Sequence, residues 1–378
     1  MRIKNWIVNL LFLLLYGQLY AQPEQLSEQA KVSVITCGTG DEMYSIFGHT
    51  ALRFVDKEQQ IDAVFNYGTF DFNTPNFYAK FIKGDLLYYL SVSDYSSFVW
   101  QYQADNRSVD EQFLDLTIAQ KQQLWQMVLQ QYRGPEKYYT YRFVHNNCTT
   151  KVVDLLNEVL SQPLSTDFEA NNQSYRNILN SYVKDNYFEK LGINILFGRR
   201  TDELNQHIFM PDKLLKSVEI STNNSAPLTQ KTIPVFTATE KSPNMLNSWW
   251  FACVLSVATI FLSRFKIIRH LLLIFSGLIG ILLVFIHFYS QHIELLNNNM
   301  VMLFNPLLIF YVFVKNKNLK KYFAFMLLSI IALFCIMSGL TKVFMFFPIL
   351  GINIACILFE KEILRNNTCL SYLKASQD

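Results

Sequence analysis

From Leu246 onward the chain is organised around five apolar runs, at residues 246–262, 271–288, 300–314, 322–340 and 343–359. Each approaches the roughly 20 residues that an α-helix needs to cross a bilayer, and 300–314 is the shortest. With 51% hydrophobic residues, 32 Phe and 20 Tyr in 378 positions, the chain is too apolar for an ordinary soluble enzyme, and this part is expected to lie in lipid.

The loops set an orientation. Arg264, Lys266 and Arg269 separate the first two runs, Lys315, Lys317, Lys320 and Lys321 separate the third and fourth, and the other two loops hold only Lys342. Basic loops stay in the cytoplasm, so residues 22–245 are expected outside. Residues 1–21 agree: Arg2 and Lys4 precede an apolar stretch at 6–16, and Leu19-Tyr20-Ala21 before Gln22 reads as the cleavage site of a secretory signal. An uncleaved anchor helix is the alternative, although the stretch is short for a span. No cysteine follows the site, so the chain is not expected to be a lipoprotein itself. Residues 22–247 carry 20 Lys and Arg against 26 Asp and Glu, a net charge of −6, so the overall +3 comes from the rest of the chain. The basicity is a topology signal, and no nucleic-acid partner is expected.

The expected organisation is a signal peptide at 1–21, an exported catalytic domain at 22–220, a Ser, Thr, Asn and Pro-rich linker at 221–245, a helical membrane domain at 246–360 and a cytoplasmic tail at 361–378. Within the exported part, period-two alternation at 31–35, 51–55 and 63–67 predicts a small antiparallel sheet. A helix at 75–82, a strand near 86–91, a helix near 95–106 and a strand at 109–116 follow. Thr117 caps a helix at 118–132, an aromatic strand at 138–144 runs into Asn147-Cys148, and a helix covers 151–160.

Of the six cysteines only Cys37 and Cys148 lie in the exported part. An oxidising compartment allows a disulfide between them, and a domain of this size does not require one. Cys253, Cys335 and Cys356 lie in apolar runs and read as small core residues. Cys148 is expected at a helix start, where free N–H groups and the helix dipole favour a thiolate and can hold an oxyanion. Its base must come from His49, His145 or His207. His49 follows Gly48 at a strand edge, where backbone can approach another segment closely, whereas His145 should point away from Asn146. Asn66 on the next strand is the first choice to orient the imidazole, ahead of Asp71 and Asp62. Asn147 reads either as part of an oxyanion site or as the helix cap. No metal-binding spacing and no phosphate-binding glycine loop is present, so no cofactor is expected. The outward loop from His292 through Asn298 to Asn305 reads either as a solvated turn with a helix kink or as a lipid headgroup site.

Phe47-Gly48-His49-Thr50, Phe65-Asn66-Tyr67-Gly68-Thr69-Phe70 and Asn146-Asn147-Cys148-Thr149-Thr150 together resemble the Lnb family, the lipoprotein N-acyltransferases of Bacteroides and relatives. The likeness continues through Tyr175-Arg176, Leu191-Gly192-Ile193, Gly198, Asp202 and Phe209-Met210-Pro211. It implies an α+β, permuted NlpC/P60-like or papain-like cysteine domain in the periplasm, followed by an all-α domain of about five transmembrane helices in the inner membrane. It further implies that Cys148 takes an acyl chain from a phospholipid as a thioester with His49 as base, and that the α-amine of a diacylated lipoprotein resolves it. The competing readings are a cell-wall amidase or peptidase, which the same fold supports, and a membrane-tethered sensor or binding module without catalysis.

Overall fold

A computed structural model describes residues 25–167, 172–239, 242 and 244–360. The expected signal peptide at 1–21 and tail at 361–378 lie outside the described residues.

The alternating segments become β1 (Lys31–Cys37), β2 (His49–Asp56) and β3 (Ile61–Thr69). Next come helix α1 (Phe77–Lys83), β4 (Leu87–Asp94), α2 (Tyr95–Ala104), β5 (Val109–Leu114) and α3 (Ile118–Arg133). Thr117 accepts from the Gln120 N–H in a capping box that starts α3. The aromatic strand is shorter than expected: β6 covers only Tyr138–Thr140, and the chain then turns tightly, Arg142 and Asn146 exchanging backbone hydrogen bonds of 3.1 and 3.0 Å. That turn delivers helix α4 (Cys148–Val159), followed by α5 (Tyr175–Tyr182), α6 (Tyr187–Leu196) and α7 (Pro211–Ile220).

The stretch expected as a linker is partly folded. After the short pair β7 (Thr222–Asn223) and β8 (Ala226–Pro227), β9 (Thr229–Phe236) joins the main sheet beside β5. It escapes a hydrophobicity-based reading because it is an outer strand with a single buried residue, the position where Pro234 is tolerated. The sheet is therefore larger than expected. Among the described residues it has seven strands in the order β6-β4-β3-β2-β1-β5-β9, each pair antiparallel.

Both faces are covered, which is why β1 is buried at nearly every position. One face packs Val32, Val34, Leu52, Phe54 and Phe65 against Leu124, Trp125 and Val128 of α3 and Val152 and Leu156 of α4. The other packs Ile35, Ala51 and Val64 against Phe98, Val99 and Tyr102 of α2.

The apolar tail forms α8 (Trp249–Leu262), α9 (Lys266–Tyr289), α10 (Met300–Leu303), α11 (Leu307–Phe313) and α12 (Lys317–Leu358). Among the described residues three stretches, Lys266–Tyr289, Ile293–Phe313 and Lys317–Leu358, are long and apolar enough to cross a membrane, and Trp249–Leu262 is a shorter apolar helix. The third run is broken between α10 and α11 at Asn305-Pro306, as proline chemistry requires.

A straight 42-residue α12 would measure about 63 Å. Its ends nevertheless meet: Lys320 Nζ lies 3.4 Å from Glu360 Oε2. The reversal is at Gly339, whose φ of 73° and ψ of 163° are non-helical and suit glycine. Two layers result. One gathers Ser263, Arg269, His270, Lys320 and Glu360 through hydrogen bonds and ion pairs. The opposite layer gathers Trp249, Phe344 and Met345, where Trp249 donates to the Phe344 carbonyl and Tyr187 of the N-terminal domain donates to that of Met345.

Candidate active site

His49 opens β2 directly opposite Cys37 of β1. Gly48 before it has a φ of 78°, and a Cβ there would stand 2.7 Å from the Cys37 carbonyl oxygen, so only glycine lets the chain enter the strand this way. Asn66 projects from β3 just before a register shift between Asn66 and Thr69. The His49 Nε2–H donates to Asn66 Oδ1, which fixes the tautomer and leaves Nδ1 for another partner. The His49 ring stacks on Tyr102 of α2, with centroids 6.3 Å apart and planes 12° from parallel.

Cys148, the first residue of α4, is the thiol whose ionisation this imidazole favours. Gly68 lies between them: a Cβ built on it would fall 3.6 Å from Cys148 Cβ and 3.7 Å from His49 Cε1. Its missing side chain is the space in which thiol and imidazole approach. Burial pushes the Cys148 thiol up, but the charge and hydrogen bond of His49, with the Thr50 N–H and the Thr149 hydroxyl, outweigh it and hold the thiol below its ordinary value. Thr149 in turn meets Thr50 hydroxyl to hydroxyl at 3.2 Å, tying α4 to β2.

Asn147 resolves toward its capping role. Its Oδ1 accepts from the Thr150 N–H at 2.9 Å, and its Nδ2 donates to the carbonyls of Phe143 at 2.7 Å and Phe209 at 2.8 Å. With both ends of the amide engaged, it positions the helix start and is not an oxyanion donor. The N–H groups of Cys148 and Thr149, the first two of α4, have no partner among the described residues and are the donors available there.

The other histidines fall elsewhere. His145 and His207 face each other with ring centroids 5.1 Å apart, whereas the His49 ring pairs with Tyr102. Cys37 is buried and a free thiol, as is the half-buried Cys148, so the pair forms no disulfide. Burial pushes the Cys37 thiol far up, which disqualifies it as the nucleophile. Tyr102 and Gly68 are the site neighbours that sequence reasoning missed: Tyr102 sits on a helix with no motif around it, and Gly68 stood in a quoted motif without a role.

The outer loop is a fastening. His292 Nε2 meets the Phe81 carbonyl at 3.0 Å, Asn298 Nδ2 donates to the carbonyls of Ile195 and Leu196 at 2.7 and 3.0 Å, and Asn305 Oδ1 accepts from the Leu307 N–H at 3.0 Å. None of the three is brought against Cys148. Ser290 donates to the Ile82 carbonyl, Arg142 bridges the Gly84 carbonyl and Gln291, and the Val144 N–H donates to Glu294, so the loop before Cys148 is clamped to the membrane domain.

Family comparison matches residues 22–181 to the Lnb N-terminal periplasmic domain and residues 237–360 to the Lnb transmembrane domain. The chain belongs to the Lnb family. No curated protein and no solved structure matched it. As a family member it is a membrane-anchored protein with a periplasmic domain, and the clamp sets its Cys148–His49–Asn66 constellation beside the apolar helices. The two matched segments leave residues 182–236 between them, and β9, the strand in the expected linker, closes that gap just before the second segment begins.

Proposed function

We propose that this Lnb-family protein is a cysteine-dependent acyltransferase of the inner membrane, moving an acyl chain from a phospholipid to the α-amine of a diacylated lipoprotein. The observation that carries the reading is the Cys148–His49–Asn66 arrangement at a helix start: a lowered thiol, an oriented imidazole and two unpartnered N–H groups. We also read the periplasmic domain as a permuted relative of the NlpC/P60 fold, because its base lies on a strand preceding the nucleophile's helix. The five apolar segments that run between the two charged and aromatic layers are read as five membrane passes.

In this scheme the thiol proton passes to His49 Nδ1 as sulfur attacks the ester carbonyl, whose oxygen turns toward the N–H groups of Cys148 and Thr149. The carbon–oxygen bond breaks, the departing alkoxide takes the proton from His49, and a lysophospholipid leaves a thioester on Cys148. A neutral lipoprotein amine then attacks that carbonyl and the carbon–sulfur bond breaks. The nitrogen's proton passes through His49 to the sulfur, giving an amide and the free enzyme. A thioester suits this division because it is activated toward amines.

The test is mass spectrometry of a lipoprotein N-terminal peptide from cells with the protein, without it, and with Cys148→Ser. The reading expects one acyl chain fewer in the latter two. An unchanged pattern together with activity of the periplasmic domain on cell-wall peptides would favour the peptidase reading, and full function of Cys148→Ser would favour a non-catalytic module.

A further inference from the structure

Beneath the turn that leads to Cys148 lies a cavity of about 470 Å³ whose lining includes Val144, His145, Tyr175, Arg200, His207 and Glu294. Its floor is unusual. Glu294 is only 4% exposed, and while its Oε1 accepts from the Val144 N–H at 3.2 Å, its Oε2 has no partner among the described residues. A buried carboxylate oxygen without a donor is costly, and the usual remedy is a cation or a strong hydrogen-bond donor. The protein's own cation in the lining, Arg200, is turned to Glu203 at 3.7 Å.

We propose that this cavity takes the ammonium group of an aminophospholipid headgroup, with Glu294 Oε2 as its buried counter-ion. This deepens the acyltransfer reading and rests on it. An ammonium carries three donors; Glu294 Oε2 takes one, and the imidazoles of His145 and His207 in the same lining are acceptors for the others, while the Tyr175 hydroxyl already accepts from the Gln206 N–H at 3.3 Å. Burial and the neighbouring His145 hold His207 below its ordinary value despite the pull of Asp154, so it brings no competing positive charge at neutral pH. Cys148 is not part of the lining, whereas an attacking amine must come within about 3.5 Å of the thioester carbon. The cation held here is therefore not the attacking amine, which fits a headgroup. Height agrees as well, since Glu294 follows closely on the exit of α9 at Tyr289. Tyr141 feels the charge of both Cys148 and Glu294, so the cavity and the nucleophile share one electrostatic neighbourhood.

The experiment follows thioester formation on Cys148 by intact-protein mass spectrometry, using the full chain in mixed micelles of phosphatidylethanolamine or of phosphatidylglycerol. The wild type is expected to acylate about tenfold faster from phosphatidylethanolamine, the scale of one hydrogen-bonded charge contact. Glu294→Gln keeps an oxygen for the Val144 N–H and should collapse that ratio toward one. Equal wild-type rates overturn the proposal whether or not the variant folds. So does a variant that slows both donors by the same factor, which marks Glu294 as structural. A variant that keeps the donor ratio but slows transfer from acylated Cys148 to a lipoprotein amine overturns the headgroup assignment in favour of the acceptor. Absence of any Cys148 thioester in the wild type sinks the acyltransfer reading along with it, whereas a thioester formed without headgroup discrimination sinks this inference alone.

Discussion

Asn66 Oδ1 receives the Nε2–H of His49, and that bond from the neighbouring strand fixes the orientation of the imidazole. Asn66→Ala releases the ring and lets the wrong tautomer form. Cys148 acylation should then slow by about a hundredfold, the lower end of what a positioned base contributes, with little change in KM for the donor. Single-turnover acylation measured against donor concentration separates the two parameters.

The thiolate limb should follow His49. Alkylation of Cys148 by iodoacetamide, followed against pH, is expected to rise with a midpoint below the ordinary thiol value of 9.0. In His49→Ala only the Thr50 N–H and the Thr149 hydroxyl still oppose burial, and the midpoint should move up. The sign follows from which form is favoured: removing a nearby positive charge raises the pH needed to form an anion. A midpoint that does not move would show that the helix start alone activates the thiol.

Asn147→Ala removes a helix cap and strands the carbonyls of Phe143 and Phe209. We expect a loss of about 1–3 kcal/mol in stability, read by thermal unfolding in detergent. Asn147→Asp retains the acceptor for Thr150 and should recover part of it.

Gly48→Ala should be more damaging than its size implies. The added methyl meets the Cys37 carbonyl, and the positive φ is strained for alanine, together costing at least about 1 kcal/mol. Because the residue sits next to His49, the alkylation midpoint of Cys148 should rise as well.

Lys320, Arg269 and His270 converge on one carboxylate, Glu360. Glu360→Gln leaves buried cations unpaired and should cost about 3 kcal/mol or more. Replacing Lys320 and Glu360 together by Met and Gln should recover little, because Arg269 remains. Urea unfolding of the detergent-solubilised chain is the measurement.

How much of this was legible varies by element for physical reasons. Strands β1 to β3 were readable because their sequences alternate apolar residues with others, although helices on both faces leave β1 buried at nearly every position, and α3 because Thr117 and Gln120 make a local capping box. Strand β9 was not, since an outer strand needs few apolar side chains. Strand β6 was overextended because tyrosines at 138, 139 and 141 look strand-like, while the turn closed by Arg142 and Asn146 carries no Gly or Pro to announce it. The reversal in the last apolar stretch falls at Gly339, ahead of the Lys342 region where charge had suggested it. Spacing alone left three histidines open for Cys148. The glycine at the strand edge favoured His49, the family resemblance gave it the role of base, and the pairing of β2 with β1 sets its place in the fold. In the polar outer loop, sequence could not separate the two readings, because clustered asparagines look alike whether they cap helices or hold a substrate.

The clamp also constrains the order in which the protein is built. Ser290 reaches Ile82 across 208 positions and His292 reaches Phe81 across 211. During synthesis the first strands and α4 leave the ribosome well before α9 exists, at about 5–20 residues per second. The edge formed by α1 and the turn before Cys148 must therefore wait, with its carbonyls in water, until the second apolar helix has been made. Maturation of the nucleophile's loop is thus timed by membrane insertion, and a chain truncated before Ser290 should export its domain yet leave that edge unlatched.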